Sequence, residues 1–383
     1  MLKKITLNEI KVGEALPWSA YDEEGRLLLS EGNVVPSQRI LAALMEHGLY
    51  RITTANDIPP LGHKTQDKND PFALLNECAE SLHEIFNAID EKAVDVGLRV
   101  KQLVKGFIQI VHKFPDAALG AVHLVGETNY SLWHPISVAI LCELVAKRLQ
   151  VPDAERFAML ATAFTSNVGM RRLQQELINQ SEPLTDQQKK KLHAHPAKSA
   201  EMLMETGIVN VDWLRAVFQH HERIDGSGYP EGITGSEISR AAKLVAIADR
   251  YAAMVRGRAY RSAFHGKDTL REFLVENGKF YDQELSLVMI SELGIYPPGS
   301  IVQLRSGEVG MVINRGRKNA TIPHVASFIG PRGALMESPV LRNCAVTGYN
   351  IRDKFRLEGE LPFSLISLWN AGYAKSEQTS QAG

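Results

Sequence analysis

From about residue 72 to residue 293, apolar side chains recur every three to four positions, a period that helices produce and strands do not. Leu98, Val100, Leu103, Val104, Phe107, Ile108 and Val111 form one stripe. Ile136, Val138, Leu141, Leu144 and Val145 form a second, and Phe157, Leu160, Ala161 and Phe164 a third. Trp213, Leu214, Val217, Phe218 and His221 follow, then Ala241, Leu244, Val245, Ala248 and Ala252, and finally Leu285, Val288 and Leu293. Each stripe needs a covering surface, and a bundle of five or more helices supplies it.

The flanks read differently. Residues 1–55 carry short strand-like runs, Leu16 to Tyr21 and Arg26 to Ser30, around an Asp22-Glu23-Glu24-Gly25 turn, then a helix through Ile40, Leu41, Leu44 and Met45. Residues 56–71 are polar and contain Pro59 and Pro60, as a linker does. Residues 72–294 make the helical domain, and Pro297-Pro298-Gly299 marks its end. Ile301 to Leu304, Gly310 to Ile313 and His324 to Ile329 predict a β-rich appendage over 295–350, with 351–383 as a tail. The fold class expected is mainly α, with a small N-terminal α+β unit and a short C-terminal β appendage.

Composition narrows the function. Among 383 residues the formal net charge is -1, which gives no electrostatic case for a nucleic-acid partner. Cys78, Cys142 and Cys344 lie far apart with no CxxC spacing, as reduced thiols do. No apolar run reaches the roughly 18 residues that span a bilayer. Met1-Leu2-Lys3-Lys4 leads into Glu9 and Lys11 without the apolar core of a secretory signal, so a cytoplasmic protein is expected.

Asp249 lies on an apolar helical face between Val245 and Ala252. A carboxylate there is costly unless paired, either with an internal Arg or His or with a metal ion. His220 and His221 are adjacent, and neighbouring helical residues point about 100° apart. They can converge on one ion only where a helix is ending, and Asp225-Gly226 signals such an end. His195 and His134 each precede a proline, which suggests helix starts. Each histidine alone is better explained as an ordinary core or cap residue. Together, four imidazoles and a carboxylate suit Fe, Mn or Zn.

The run from His220 through Glu222, Asp225, Gly226, Gly228, Tyr229 and Pro230 resembles the long HHExxDGxGYP motif of the HD-GYP family of cyclic di-GMP phosphodiesterases. Tyr130-Ser131-Leu132-Trp133-His134 is similar to the family's Tyr-Thr-x-x-His helix start, and His195-Pro196 to its His-Pro step. Ala248-Asp249 and Arg258-Ala259-Tyr260-Arg261 resemble its later Asp and RPYR motifs. The resemblance covers roughly residues 125–300. It implies a helical bundle around two or three metal ions and hydrolysis of cyclic di-GMP. By that resemblance His134, His195, His220, His221 and Asp249 are metal ligands. Arg258 and Arg261 hold phosphate, and Gly228, Tyr229 and Pro230 shape the binding loop. It also implies a protein partner with a GGDEF domain, met through the GYP surface.

One segment departs from the family. Ala163-Phe164-Thr165-Ser166-Asn167-Val168-Gly169-Met170 aligns with the family's Ala-Leu-Leu-His-Asp-Ile-Gly-Lys, so Ser166, Asn167 and Met170 stand for His, Asp and Lys. A neutral amide cannot offset the repulsion of two cations about 3.5–4 Å apart. The expectation is one divalent ion or none, no catalytic residue at these three positions, and binding of cyclic di-GMP or a partner without efficient hydrolysis. Weak metal-dependent hydrolysis and a purely structural adaptor are the alternatives.

Overall fold

The structure, a computed structural model, describes residues 2–5, 10–22, 26–46, 49–52, 69–124, 130–178, 180, 182–255, 279–316, 322–357 and 361–373. The chain divides into two compact units, Met1–Pro59 and Pro60–Gly383. In the first, β1 (Leu2–Lys4), β2 (Ala20–Tyr21), β3 (Leu27–Leu29) and β4 (Tyr50–Ile52) form an antiparallel sheet ordered β1-β4-β2-β3. Helix α1 (Gln38–Glu46) accompanies it, and Ile5, Leu16, Ala20, Val35, Leu41 and Leu49 form the core.

The second unit is the helical bundle with a sheet attached. Its helices are α2 (Pro71–Asp90), α3 (Val96–Lys113), α4 (Pro115–Leu124), α5 (Tyr130–Arg148), α6 (Asp153–Thr165), α7 (Arg171–Ile178), α8 (Asp186–Glu205), α9 (Val211–Gln219), α10 (Arg240–Val255) and α11 (Gln283–Leu293). Every residue of α5 from Leu132 to Ala146 is buried, because α2, α4, α6, α10 and α11 surround it. A helix apolar on all sides is the central member of a bundle. The stripes place the elements correctly, with one exception. Leu98 is 59% exposed, because it lies two positions, about 200°, away from Val96 and Val100, which carry the inner face of α3.

Glu143 sits inside the apolar run of α5 and is fully buried. Arg156 of α6 donates from Nε to its Oε2 at 2.8 Å, and His112 Nε2 of α3 lies 2.7 Å from its Oε1. A buried carboxylate requires such partners, and here they tie three helices together.

The final sheet runs β8-β7-β6-β5-β9, all antiparallel, from β5 (Ile301–Leu304), β6 (Val309–Asn314), β7 (His324–Ile329), β8 (Leu335–Asn343) and β9 (Ile351–Lys354). Strand β8 escaped the sequence reading because Pro339 interrupts it; proline is tolerated there since β8 is an edge. The expected tail over 351–383 needs correction for its described part. Residues 351–354 complete the sheet as β9, and Leu365–Tyr373 forms a helix, α12, packed on β6, β7, β8 and α2. Trp369 is 2% exposed and meets Phe72 edge-on at 5.0 Å. It also occupies the space a side chain on Gly120 would need: a Cβ there would stand 2.5 Å from the indole. We therefore expect Trp369→Ala to cost about 3–5 kcal/mol, as removal of a buried aromatic does, in urea unfolding. A tail without a structural role would leave the transition in place.

Candidate metal centre

Helix α8 begins nine residues before His195, not at it. Thr185 and Gln188 form a reciprocal capping box that starts the helix at Asp186. Pro196 therefore lies inside the helix, and its missing N–H leaves the carbonyl of Leu192 without its usual i+4 donor. His195 Nδ1 takes that carbonyl at 2.5 Å. A carbonyl can only accept, so Nδ1 carries the proton and Nε2 the lone pair. His134 is likewise inside its helix: α5 starts at Tyr130, and Pro135 follows His134 within it.

Helix α9 is capped by Asn210, whose side chain accepts the N–H of Trp213, and ends at Gln219. Its last carbonyls have no helical donors. His220, at the cap, donates from Nδ1 to one of them, Val217, at 2.6 Å. The helical phase that put His221 on the buried side stops before it is reached. His220 is the fully buried member of the pair, and His221 keeps part of its surface open.

His195, His220 and His221 thus converge, with one potential ligand atom from each all within 4.8 Å of one another. His195 Nε2 and His220 Nε2 face each other at 3.1 Å. With both Nδ1 atoms donating to carbonyls, two lone pairs point at one another, an arrangement that a shared cation relieves. Two nitrogens each about 2.0–2.1 Å from one ion, at right angles, lie roughly 3 Å apart. The residues present fit a divalent metal. Burial, then the neighbouring His220, pushes His195 down to about 3. Burial lowers His220 as well, and burial with His220 and His195 holds His221 well below the ordinary imidazole range. Neutral imidazole is the form that binds metals.

Asp249 of α10 takes a partner from α5: His134 Nε2 lies 2.7 Å from its Oδ1. Burial alone pushes this carboxyl up, but the hydrogen bond and charge of His134, with His221 and His220 nearby, hold it well below the usual carboxylate range. The five candidate ligands therefore form a trio and a pair. The partner of Asp249 is an imidazole, one of the two kinds expected from its position on an apolar face.

The turn Ser166–Met170 is pressed against this site. Ser166 caps α6 and Val168–Met170 forms a single 3-10 turn. Ser199 of α8 donates to the carbonyl of Ser166 at 2.7 Å and accepts the N–H of Gly169 at 2.9 Å. A Cβ on Gly169 would stand 2.9 Å from the carbonyl oxygen of His195, so only glycine fits. Ser166 is 2% and Asn167 6% exposed. Asn167 Oδ1 is buried with no hydrogen-bond partner among the described residues.

The loop after His221 folds back onto the trio. Tyr229 donates its N–H to the carbonyl of His221, and the two rings lie 4.8 Å apart. Glu222 Oε1 accepts the N–H groups of Glu231 and Gly232, clasping the loop at its base. A Cβ on Gly228 would stand 2.4 Å from the Arg223 nitrogen, so this glycine is needed for closure. Pro230 is exposed beside it. Asp225 is occupied in a local turn, accepting from Ser227 N–H and Oγ. Arg258 and Arg261 lie outside the described residues. Sequence reasoning missed Thr185 and Gln188, although a Thr-x-x-Gln spacing before a helical run is the capping signal.

A family model described as "HD domain" matches residues 117–285. The chain is 30% identical over 242 residues to the cyclic di-GMP phosphodiesterase PA4108 of Pseudomonas aeruginosa, covering 63% of this chain and 58% of that protein. It is 21% identical to the cyclic di-GMP phosphodiesterase PdeB of Borreliella burgdorferi, covering 52% and 53%. The solved structure of Bd1817, an HDG"Y"P protein from Bdellovibrio bacteriovorus, superposes with a TM-score of 0.50 at 15% identity, covering 76% of this chain and 98% of that one. These matches support the resemblance of the helical domain to the HD-GYP family. It spans little more than half the length of these two phosphodiesterases. Among the described residues no helix is long and apolar enough to cross a membrane.

Pro196 has a checkable role in this centre. Pro196→Ala restores an N–H that competes with His195 for the Leu192 carbonyl. Loss of such an orienting contact typically costs about 10–100-fold in metal affinity. Chelator competition should show that drop with the helix content unchanged.

Proposed function

We propose that this protein is a cyclic di-GMP receptor built on an HD-GYP scaffold, with hydrolysis largely lost. The observation that carries the reading is the turn Ser166–Met170, held against His195 by Ser199 and Gly169 while presenting a hydroxyl, an amide and a thioether. The turn keeps its place against the site, but its own side chains carry neither an anion nor a cation. His195, His220 and His221, with Asp249 and His134 beside them, would hold one ion. That ion would supply Lewis-acid attraction for a phosphodiester oxygen. With Asp249 as the ligating carboxylate and Asn167 neutral, a second adjacent cation lacks compensation. Arg258 and Arg261 would fork onto the ligand's phosphates, and the Gly228–Pro230 loop would shape the pocket. A GGDEF-domain protein is the partner such a receptor would meet.

The test is calorimetry with cyclic di-GMP alongside elemental analysis. Saturable binding, about one ion per chain and negligible turnover with Mn or Fe support the reading, as does loss of binding in the Arg258→Ala/Arg261→Ala double variant. Two ions per chain with rapid turnover would sink it. Metal-free protein that binds no nucleotide would instead establish an adaptor.

A further inference from the structure

Next to the histidine trio lies an open groove of about 630 Å³, lined by Asp186, Lys189, Lys190, His193, Tyr229 and Pro230. That volume is within the range of about 300–1,000 Å³ typical of small-ligand sites. Its floor is one face of α8. Residues three and four apart share a helix face, so Asp186, Lys189, Lys190 and His193 line up along it. His195, in the same helix, points the other way into the buried trio. The groove and the trio are thus two sides of one element.

A column of rings joins them. His193 and Tyr229 stack at 4.4 Å and 15°, and Tyr229 lies 4.8 Å and 30° from His221. His193 is exposed, so its outer ring face is open to the groove. Lys189 Nζ is 3.2 Å from Asp186 Oδ1, whereas Lys190 has no carboxylate partner among the described residues. The groove therefore offers an uncommitted ammonium, a second within reach, and an aromatic face. A flat heteroaromatic base carrying a phosphate is the chemistry that uses all three.

We propose that this groove is a second nucleotide subsite, taking the half of a dinucleotide phosphodiester that lies away from the trio. Its phosphate sits on Lys190 and Lys189, and its base rests on His193. This rests on the reading of the protein as a cyclic di-GMP receptor and explains how it would prefer a dinucleotide to a mononucleotide. Lys189 and Lys190 are exposed, so replacing them leaves the fold and the trio intact.

The test is calorimetry on the full chain with cyclic di-GMP and with GMP, for the unaltered protein, Lys189→Ser/Lys190→Ser, His193→Ser and Lys190→Arg. The double lysine variant is expected to weaken cyclic di-GMP binding at least tenfold and flatten its salt dependence. GMP affinity should change less than threefold, metal content should not change, and Lys190→Arg should retain binding. Cyclic di-GMP affinity within twofold of the unaltered protein in both the lysine and the His193 variants would overturn the subsite while leaving the receptor reading in place. No binding of cyclic di-GMP to the unaltered protein would overturn both.

Discussion

Ser166→His, Asn167→Asp and Met170→Lys, made together, are expected to raise cyclic di-GMP hydrolysis by at least about 10²-fold. Removing a single electrostatic stabiliser from an active site typically costs about 10²–10³ in rate, and three groups change here at once. The backbone is already in place to receive them. Ser199 holds the turn from both sides, and Gly169 seats it on the carbonyl of His195. Ser166 is buried, so a larger imidazole there carries a stability cost of about 1–3 kcal/mol, and the variant's folding is checked by circular dichroism first. Chromatographic detection of linear dinucleotide and GMP, with Mn or Fe added, reads the outcome. Rapid turnover by the unaltered protein, with no gain in the triple variant, contradicts the assignment of lost chemistry to this turn.

His220→Ala is expected to abolish stoichiometric metal binding and to lower the stability of the chelated protein by about 1–3 kcal/mol. Even without a cation His220 is fully buried and donates from Nδ1 to the Val217 carbonyl, so its loss leaves that acceptor unsatisfied in the chelated protein as well. An ion bound at 100 times its dissociation constant stabilises the unaltered protein by about 2.7 kcal/mol, and the variant forfeits that increment. Urea melts with and without chelator separate the two effects. The same imidazoles give the chelated protein a pH dependence. Unfolded, each titrates near 6.5, whereas His195 in the fold titrates near 3 and His220 is also lowered. Between those values the unfolded chain binds more protons, so stability is complete above about pH 6.5 and falls as the pH is lowered. The slope is up to about 1.4 kcal/mol per pH unit for each imidazole. Bound metal competes with those protons and should shift the acid transition downward.

Local signals in the chain were enough for the helical domain and for singling out the histidines that the fold brings together. Amphipathic period marks α3, α6 and α10 because a bundle helix needs one apolar face, and that need is written at fixed spacing. His220 and His221 were legible as a helix end for the same kind of reason: two neighbours cannot aim at one point on a continuing helix. Ser166, Asn167 and Met170 were also legible as a hydroxyl, an amide and a thioether, since that is a matter of residue identity alone.

Other features depended on contacts that no local pattern encodes. Helix α12 is held by Trp369 filling the space over Gly120, some 250 residues away, and nothing in Leu365–Tyr373 announces that cavity. The partner of Asp249 could have been an arginine, a histidine or an ion; the packing of α10 on α5 brought His134 to it. Which imidazole of the adjacent pair is buried was decided by where α9 stops and how the Gly228 loop closes over it. Side-chain type and spacing state what a residue can do, and they act over a few positions along the chain. Which groups meet is set by long-range packing, so the trio, the pair and the lysine groove became distinct only in the folded protein.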